Sequence, residues 1–296
     1  MLTKKEFDIL TLLESSTAAM SQRQISEASK MSVGTVNKLM KDLSGKNFVT
    51  GGSIASKGLE ALEPYRVKRA VILAAGFGSR MVPLTLNTPK PLIRVHGVRI
   101  IDTVLDAILT AGISDIFIVR GYLAEQFDQL LYKYPTLKFI ENPIYNEAND
   151  ISSVLCASYL LKNAYLIEAD LLIYNSKVFT KYQYESNYLG IPCERTDEWC
   201  FFTDNDLVIR EVAVGGVNCH RMFGISYWTE ADGAKLVGHI EQVFRSPGGK
   251  ERFFEHIPLV YHKNDYKVHV RECSPHDIAE IDTLSELKAI DKAYDV

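Results

Sequence analysis

Apolar and polar positions along this chain of 296 residues follow two different periods, and the change falls near residue 66. Before it the spacing is helical. Phe7, Ile9, Leu10, Leu12 and Leu13 form an apolar face in a segment opened by Thr3; Ser21 with Gln24 gives a capping-box start to a helix over 22–29; Ser32 starts another over 33–43. A short apolar–polar alternation at 46–52 ends in glycines, and residues 56–62 read as a further helical turn. After residue 67 short apolar runs alternate with helical segments: strands at 69–73, 115–119, 137–140 and 164–168, with helices at 101–111, 123–132 and 150–161 between them. That rhythm predicts a largely parallel sheet covered on both faces. Beyond 185 it predicts antiparallel strands at 199–203, 207–214 and 221–228, a helix over 230–244, a strand over 267–272 and a closing helix over 284–293.

Composition supports a globular reading, with 47% hydrophobic and 24% charged residues. Apolar stretches such as 70–75 fall far short of the roughly 18 to 20 residues that span a bilayer. The N-terminus lacks the apolar run of a secretion signal, so the expected location is cytoplasmic, with no membrane partner. Five cysteines (156, 193, 200, 219 and 273) form no C-x-x-C pair, which argues against a disulfide framework or a cysteine zinc site. The histidines show no metal-binding spacing. The net charge of −4 hides an asymmetry: residues 1–66 carry +2 and the remainder −6. An acidic main body argues against nucleic acid as its substrate, while DNA stays open as a partner of the first segment.

Three short helices followed by a glycine-ended hairpin resemble the winged-helix domains of bacterial regulators, with 33–43 as the recognition helix. Thr35, Asn37, Lys38 and Lys41 would then face the major groove; the plainer alternative is a solvated helix on a domain that packs or dimerises. Glu63-Pro64-Tyr65-Arg66 breaks the helix. The expected division is a winged helix-turn-helix domain at 1–63, a linker at 64–68 and a second domain at 69–296.

The strongest chemical signal follows the first strand of that second domain: Leu73-Ala74-Ala75-Gly76-Phe77-Gly78-Ser79-Arg80, then Pro83-Leu84-Thr85 and Pro89-Lys90-Pro91-Leu92. Glycines here let backbone N–H groups approach phosphate oxygens, small Ala74 and Ala75 leave room for a base or ribose, and Arg80 and Lys90 supply cations for a triphosphate. It is not a Walker A loop, since no Gly-Lys-Ser/Thr follows, and it lacks the third glycine of a dinucleotide fingerprint. Two acidic motifs accompany it, Glu168-Ala169-Asp170 at the end of a strand and Glu280-Ile281-Asp282-Thr283 before a helix that Asp282 or Thr283 could cap. Carboxylates paired across a fold make a hard-oxygen site for Mg²⁺.

The whole string resembles the signature of the nucleotidyltransferases that make sugar and polyol nucleotides. The resemblance implies an α/β fold, a Rossmann-like domain with a mixed, mainly parallel sheet, here preceded by the winged-helix domain. It implies nucleotide binding by Leu73, Ala74, Ala75, Gly76, Gly78, Ser79, Arg80 and Lys90, with Arg80 and Lys90 catalytic and Asp170 and Asp282 holding Mg²⁺. With Asp197-Glu198-Trp199, Gly224-Ile225-Ser226-Tyr227-Trp228 and Glu280-Ile281-Asp282-Thr283 added, residues 67–294 are similar to the bacterial CTP:phosphocholine cytidylyltransferases. CTP and phosphocholine are then the expected partners. Ser152, in a segment that also reads as a helix cap, and Tyr122 after Gly121 would border the cytosine.

A quaternary ammonium offers no N–H donor and is recognised by aromatic faces and carboxylates, which makes Glu194, Trp199, Tyr227 and Trp228 the acceptor-binding candidates. The stretch 185–193 matches that family loosely, and the related 2-aminoethylphosphonate cytidylyltransferases share the scaffold while binding a primary ammonium. A regulator that senses CTP or a choline metabolite is the alternative from a different class, and a homodimer is an option the sequence leaves open.

Overall fold

The structure is a computed structural model that describes residues 1–295; Val296, the last residue of the expected second domain, lies outside the described residues. Two compact units make up the chain. One comprises Met1–Arg66 with Tyr182–Tyr184, the other Val67–Lys181 with the chain from Glu185 onward.

In the smaller unit, helices α1 (Lys4–Ser15), α2 (Gln22–Ser29) and α3 (Val33–Gly45) begin at Thr3, Ser21 and Ser32. Each cap side chain accepts a backbone N–H, and the first two close reciprocal boxes with Glu6 and Gln24. A two-stranded wing, β1 (Val49–Thr50) and β2 (Ser53–Ile54), precedes α4 (Ser56–Leu62). Ile9, Leu10, Ile25, Val36, Leu43 and Leu62 form the core, with no side-chain exposure at any of them. On α3, Asn37, Lys38 and Lys41 are exposed and Thr35 half-buried, its hydroxyl hydrogen-bonded to that of Ser32. The helix runs two residues past the expected end at 43.

The larger unit opens with β3 (Arg69–Ala74), a small hairpin β4 (Arg94–Val95) and β5 (Val98–Arg99), helix α5 (Ile100–Thr110), β6 (Ile116–Arg120), β7 (Lys138–Glu141), α6 (Ile151–Ala157), β8 (Ala164–Glu168) and β9 (Leu171–Ile173). Two long strands follow, β10 (Asn187–Thr203) and β11 (Ile209–Trp228), then α7 (Glu230–Arg245), β12 (His269–Glu272), β13 (Ile278–Glu280) and α8 (Leu284–Ile290). Seven strands form one sheet in the order β12-β10-β11-β8-β3-β6-β7, in which β11 alone runs against the other six. Strand β3 shows why both faces must be covered. Ala70, Ile72 and Ala74 point into one core with Val104, Leu105 and Ile108 of α5, while Val71 points into the other with Val154 of α6 and Leu236 and Ile240 of α7. No helix among the described residues is long and apolar enough to cross a membrane.

Several expectations need correction, and one pairing was not expected. Residues 124–132, read as a helix over 123–132, wind as a 3-10 helix, and α6 gives way to a 3-10 turn at 158–160, as α8 does at 292–294. The three antiparallel strands expected between 199 and 228 are parts of two long ones. Gly190, Pro192 and the charges among 194–198 conceal residues 187–198 of β10, whose pairing with β11 comes from tertiary contact rather than local preference. Finally, β9 and β13 pair antiparallel, a ladder without a sequence signal.

Candidate functional site

At the carboxyl ends of β3 and β8 lies a cavity of about 440 Å³. Leu73, Ala74, Ala75, Gly76, Gly78, Ser79, Arg80, Lys90 and Ser152 line it, as do Asp170 and Asp282. The loop shape depends on Gly78: its φ is +63°, and a Cβ there would stand 3.0 Å from side-chain carbons of Lys90 and Thr85. Ser152, buried, donates to the carbonyl of Asn149 and accepts from Asn142. Tyr122 does not reach the lining. Its hydroxyl donates to the carbonyl of Leu86 and its ring tilts against Phe77, 5.2 Å between centroids, so it props up a residue that does line the cavity.

The β9–β13 ladder explains how the two aspartates meet. Asp170 directly precedes β9, Asp282 closely follows β13, and the Ile281 N–H donates to the Asp170 carbonyl. Their carboxylates share one cation: Lys90 Nζ lies 2.8 Å from Asp170 Oδ2 and 2.9 Å from Asp282 Oδ1, and Arg80 donates to that same Asp282 oxygen at 2.8 Å. Burial works against the charge on Lys90, yet Asp170 and Asp282 outweigh it, so its ammonium holds its proton more tightly than usual. The other oxygen of Asp170, Oδ1, is buried without a hydrogen-bond partner. Thr283 caps α8 and takes over the role considered for Asp282, which leaves that carboxylate free to face the cavity.

Next to this cavity is a second, of about 390 Å³, sharing with it Arg80, Glu168, Asp170, Phe253 and Asp282. Its own lining adds Glu198, Trp199, Met222, Gly224, Glu255 and Glu280. Of the acceptor-binding candidates only Trp199 is present, its ring packed edge-on to Phe253 at 5.6 Å. Glu194 is exposed and outside the lining. Tyr227 and Trp228 belong to the two cores on opposite faces of the sheet: the Tyr227 hydroxyl donates to Asn163, and Trp228, with no exposure, packs edge-on against Tyr188 and Phe254 and donates to Ser226. Both faces of β11 are covered at its end, so alternation turns neither residue toward a ligand.

Acidic groups dominate this second cavity. Burial, then repulsion from Asp170 and Asp282, pushes Glu280 up to about 8. Burial raises Glu255 to about 7, and burial followed by Asp170, Glu255, Glu280 and Asp150 holds Glu168 well above the usual carboxylate range. Sequence reading missed Phe253, Glu255 and Tyr145 as lining residues. The only local trace is Arg252-Phe253-Phe254-Glu255-His256, an acid among aromatics ahead of a π-helical turn at Ile257–Tyr261.

Comparison with known proteins agrees with this geometry. A nucleotidyl transferase family model matches residues 69–188, and a winged helix-turn-helix DNA-binding model matches residues 2–50. The 2-aminoethylphosphonate cytidylyltransferase of Lancefieldella rimae is 36% identical over 228 residues, which is 76% of this chain and 92% of that protein. The chain belongs to the nucleotidyl transferase family. Within that family its place is among the cytidylyltransferases: the choline-phosphate cytidylyltransferase of Streptococcus pneumoniae is 29% identical over 225 residues, 76% of this chain and 97% of that one. The solved structure of the Streptococcus pneumoniae CTP:phosphocholine cytidylyltransferase superimposes with a TM-score of 0.71 at 30% identity, covering 77% of this chain and 99% of that one. This nucleotidyltransferase therefore combines the family's catalytic fold with an N-terminal winged helix-turn-helix.

Proposed function

We propose that residues 69–296 form a catalytic domain that transfers the cytidylyl group of CTP to a small phosphate or phosphonate bearing a cationic amine, releasing pyrophosphate. The observation that carries this reading is the shared wall of Arg80, Asp170 and Asp282 between a glycine-loop cavity and an acid-lined one. An acceptor oxygen, already anionic near neutral pH, attacks the α-phosphorus as the bond to the β-phosphate oxygen breaks. No general base is needed; the work of the site is alignment and charge stabilisation. Lys90 and Arg80 supply fixed positive charge for the departing pyrophosphate. Asp170 and Asp282 fit Mg²⁺, since they offer converging hard oxygens and Asp170 Oδ1 is buried with no other partner. That ion would neutralise charge at the α-phosphate.

For the acceptor, the lining favours 2-aminoethylphosphonate over phosphocholine. Of the three aromatic walls expected for a trimethylammonium, Trp199 alone reaches the cavity, joined by Phe253, whereas Glu168, Glu198, Glu255 and Glu280 surround the space. A primary ammonium donates hydrogen bonds to such carboxylates and a quaternary one does not. Residues 1–63 are assigned as a DNA-binding module reading through Thr35, Asn37, Lys38 and Lys41, on the strength of the winged helix-turn-helix match and the exposure of three of these.

The test is pyrophosphate release with Mg²⁺ and CTP or UTP, against 2-aminoethylphosphonate, phosphocholine and glucose 1-phosphate. CTP with an amine acceptor should exceed every other pair by a large factor. Release with glucose 1-phosphate alone, or with no pair, overturns the reading.

A further inference from the structure

Beside the acid-lined cavity the sheet encloses a niche walled by Leu73, Glu168, Tyr188, Gly224, Phe254 and Glu255. Its free space is about 10 Å³, close to what one water-sized group occupies. Glu168, Gly224 and Glu255 line the niche and the larger cavity alike, so the two are neighbours. The hydroxyl of Tyr188 lies buried there without a well-formed hydrogen bond, its hydroxyl neighbour being Ser226, on a residue 1% exposed. Ser226, also in the wall, is engaged by the Trp228 indole. Carboxylate oxygens of Asp150, Glu168 and Glu255 gather within 4.8 Å of one another, and Asp150 already accepts the Phe254 N–H. Buried acids and an unsatisfied hydroxyl around a space of this size call for a small cationic donor.

We propose that this niche receives the ammonium nitrogen of the acceptor, with Glu168, Glu255 and the Tyr188 hydroxyl accepting its three N–H bonds. The inference rests on the proposed transfer to an amine-bearing acceptor and specifies its head group. Three methyl groups on nitrogen exceed the niche and remove all three donors, so the site selects primary amines. Glu168 joins the niche to the larger cavity, since its carboxylate also lies within 4.8 Å of those of Asp170 and Glu280. Gly224 makes the arrangement possible: a Cβ there would sit 2.4 Å from the Glu168 carboxyl.

The experiment is steady-state kinetics of the full chain, wild type, Tyr188→Phe and Glu255→Gln, with 2-aminoethylphosphonate, its N-methylated series and phosphocholine. In the wild type kcat/KM should fall at least about tenfold from the primary amine to the trimethyl analogue. Tyr188→Phe should raise KM for the primary amine about tenfold, with kcat and the KM for CTP within about twofold, and Glu255→Gln should raise it further. Thermal melts establish that both variants are folded. A wild type that uses the trimethyl analogue as well as the primary amine, or variants whose KM for the primary amine stays put, overturn the niche assignment and leave cytidylyl transfer standing. Absence of transfer to any amine acceptor overturns the transfer reading itself.

Discussion

Replacing Glu255 by glutamine should make the ligand-free protein more stable, an outcome opposite to that of most core polar substitutions. Glu255 is buried at the edge of the niche, and its carboxyl group is raised from its ordinary 4.5 to about 7. The folded state thus binds this proton more tightly than the unfolded chain. Below pH 4.5 both states are protonated and the group is neutral in its effect. Between 4.5 and 7 the folded state holds the proton that the unfolded chain has released, so stability falls as pH rises, and above 7 the full cost is present. A difference of roughly 2.5 units at 1.36 kcal/mol each amounts to about 3 kcal/mol at pH 8. Glutamine keeps the shape and drops the charge, which should recover most of that. For a domain of this size each kcal/mol moves Tm by about 2–4 °C, so the variant should melt roughly 6–12 °C above wild type at pH 8 and close to it at pH 4.5. Calorimetric melts of the two proteins at both pH values, without acceptor, make the comparison, and relief of the repulsion on Asp150 and Glu168 acts in the same direction. A variant less stable than wild type at pH 8, or a Tm difference independent of pH, would show that the carboxylate is not held against its charge. Adding the amine acceptor at pH 8 should then raise the wild-type Tm more than that of the variant, since only the wild type regains a partner for its ionised group.

Other perturbations probe the rest of the site. Asp170→Asn and Asp282→Asn should each lower kcat by about two orders of magnitude or more while circular dichroism stays native, and near wild-type turnover in both would dismiss the metal assignment. Gly224→Ala should displace the Glu168 carboxyl and raise the acceptor KM at least about tenfold with the KM for CTP little changed; equal loss for both substrates in titrations would mean that the sheet itself is disturbed. Lys38→Ala and Lys41→Ala should weaken DNA binding by the full chain across sequences and flatten its salt dependence by about one unit of slope each in gel-shift titrations, whereas no DNA binding at low salt removes the assignment of the winged unit.

Much of this protein is legible without coordinates because the forces involved act over a few residues. Thr3 with Glu6 and Ser21 with Gln24 close their capping boxes within one helical turn, so the starts of α1 and α2 can be read directly. The apolar run 70–75 marks a strand buried on both faces, and the glycine loop after it needs only a tight turn to build one wall of the cavity, which Leu73 to Arg80 line without a gap. The acceptor side could not be read that way. Tyr227 and Trp228 resemble a binding pair until β8 and β10 flank β11 and the helices close both faces of the sheet. Asp170 and Asp282 come to share Lys90 through the β9–β13 ladder, a pairing set by long-range closure rather than by local preference. Glu255 looks like an ordinary surface acid in sequence. Only the fold withdraws it from water beside Glu168 and Asp150, and that desolvation turns a common side chain into one whose charge awaits a partner.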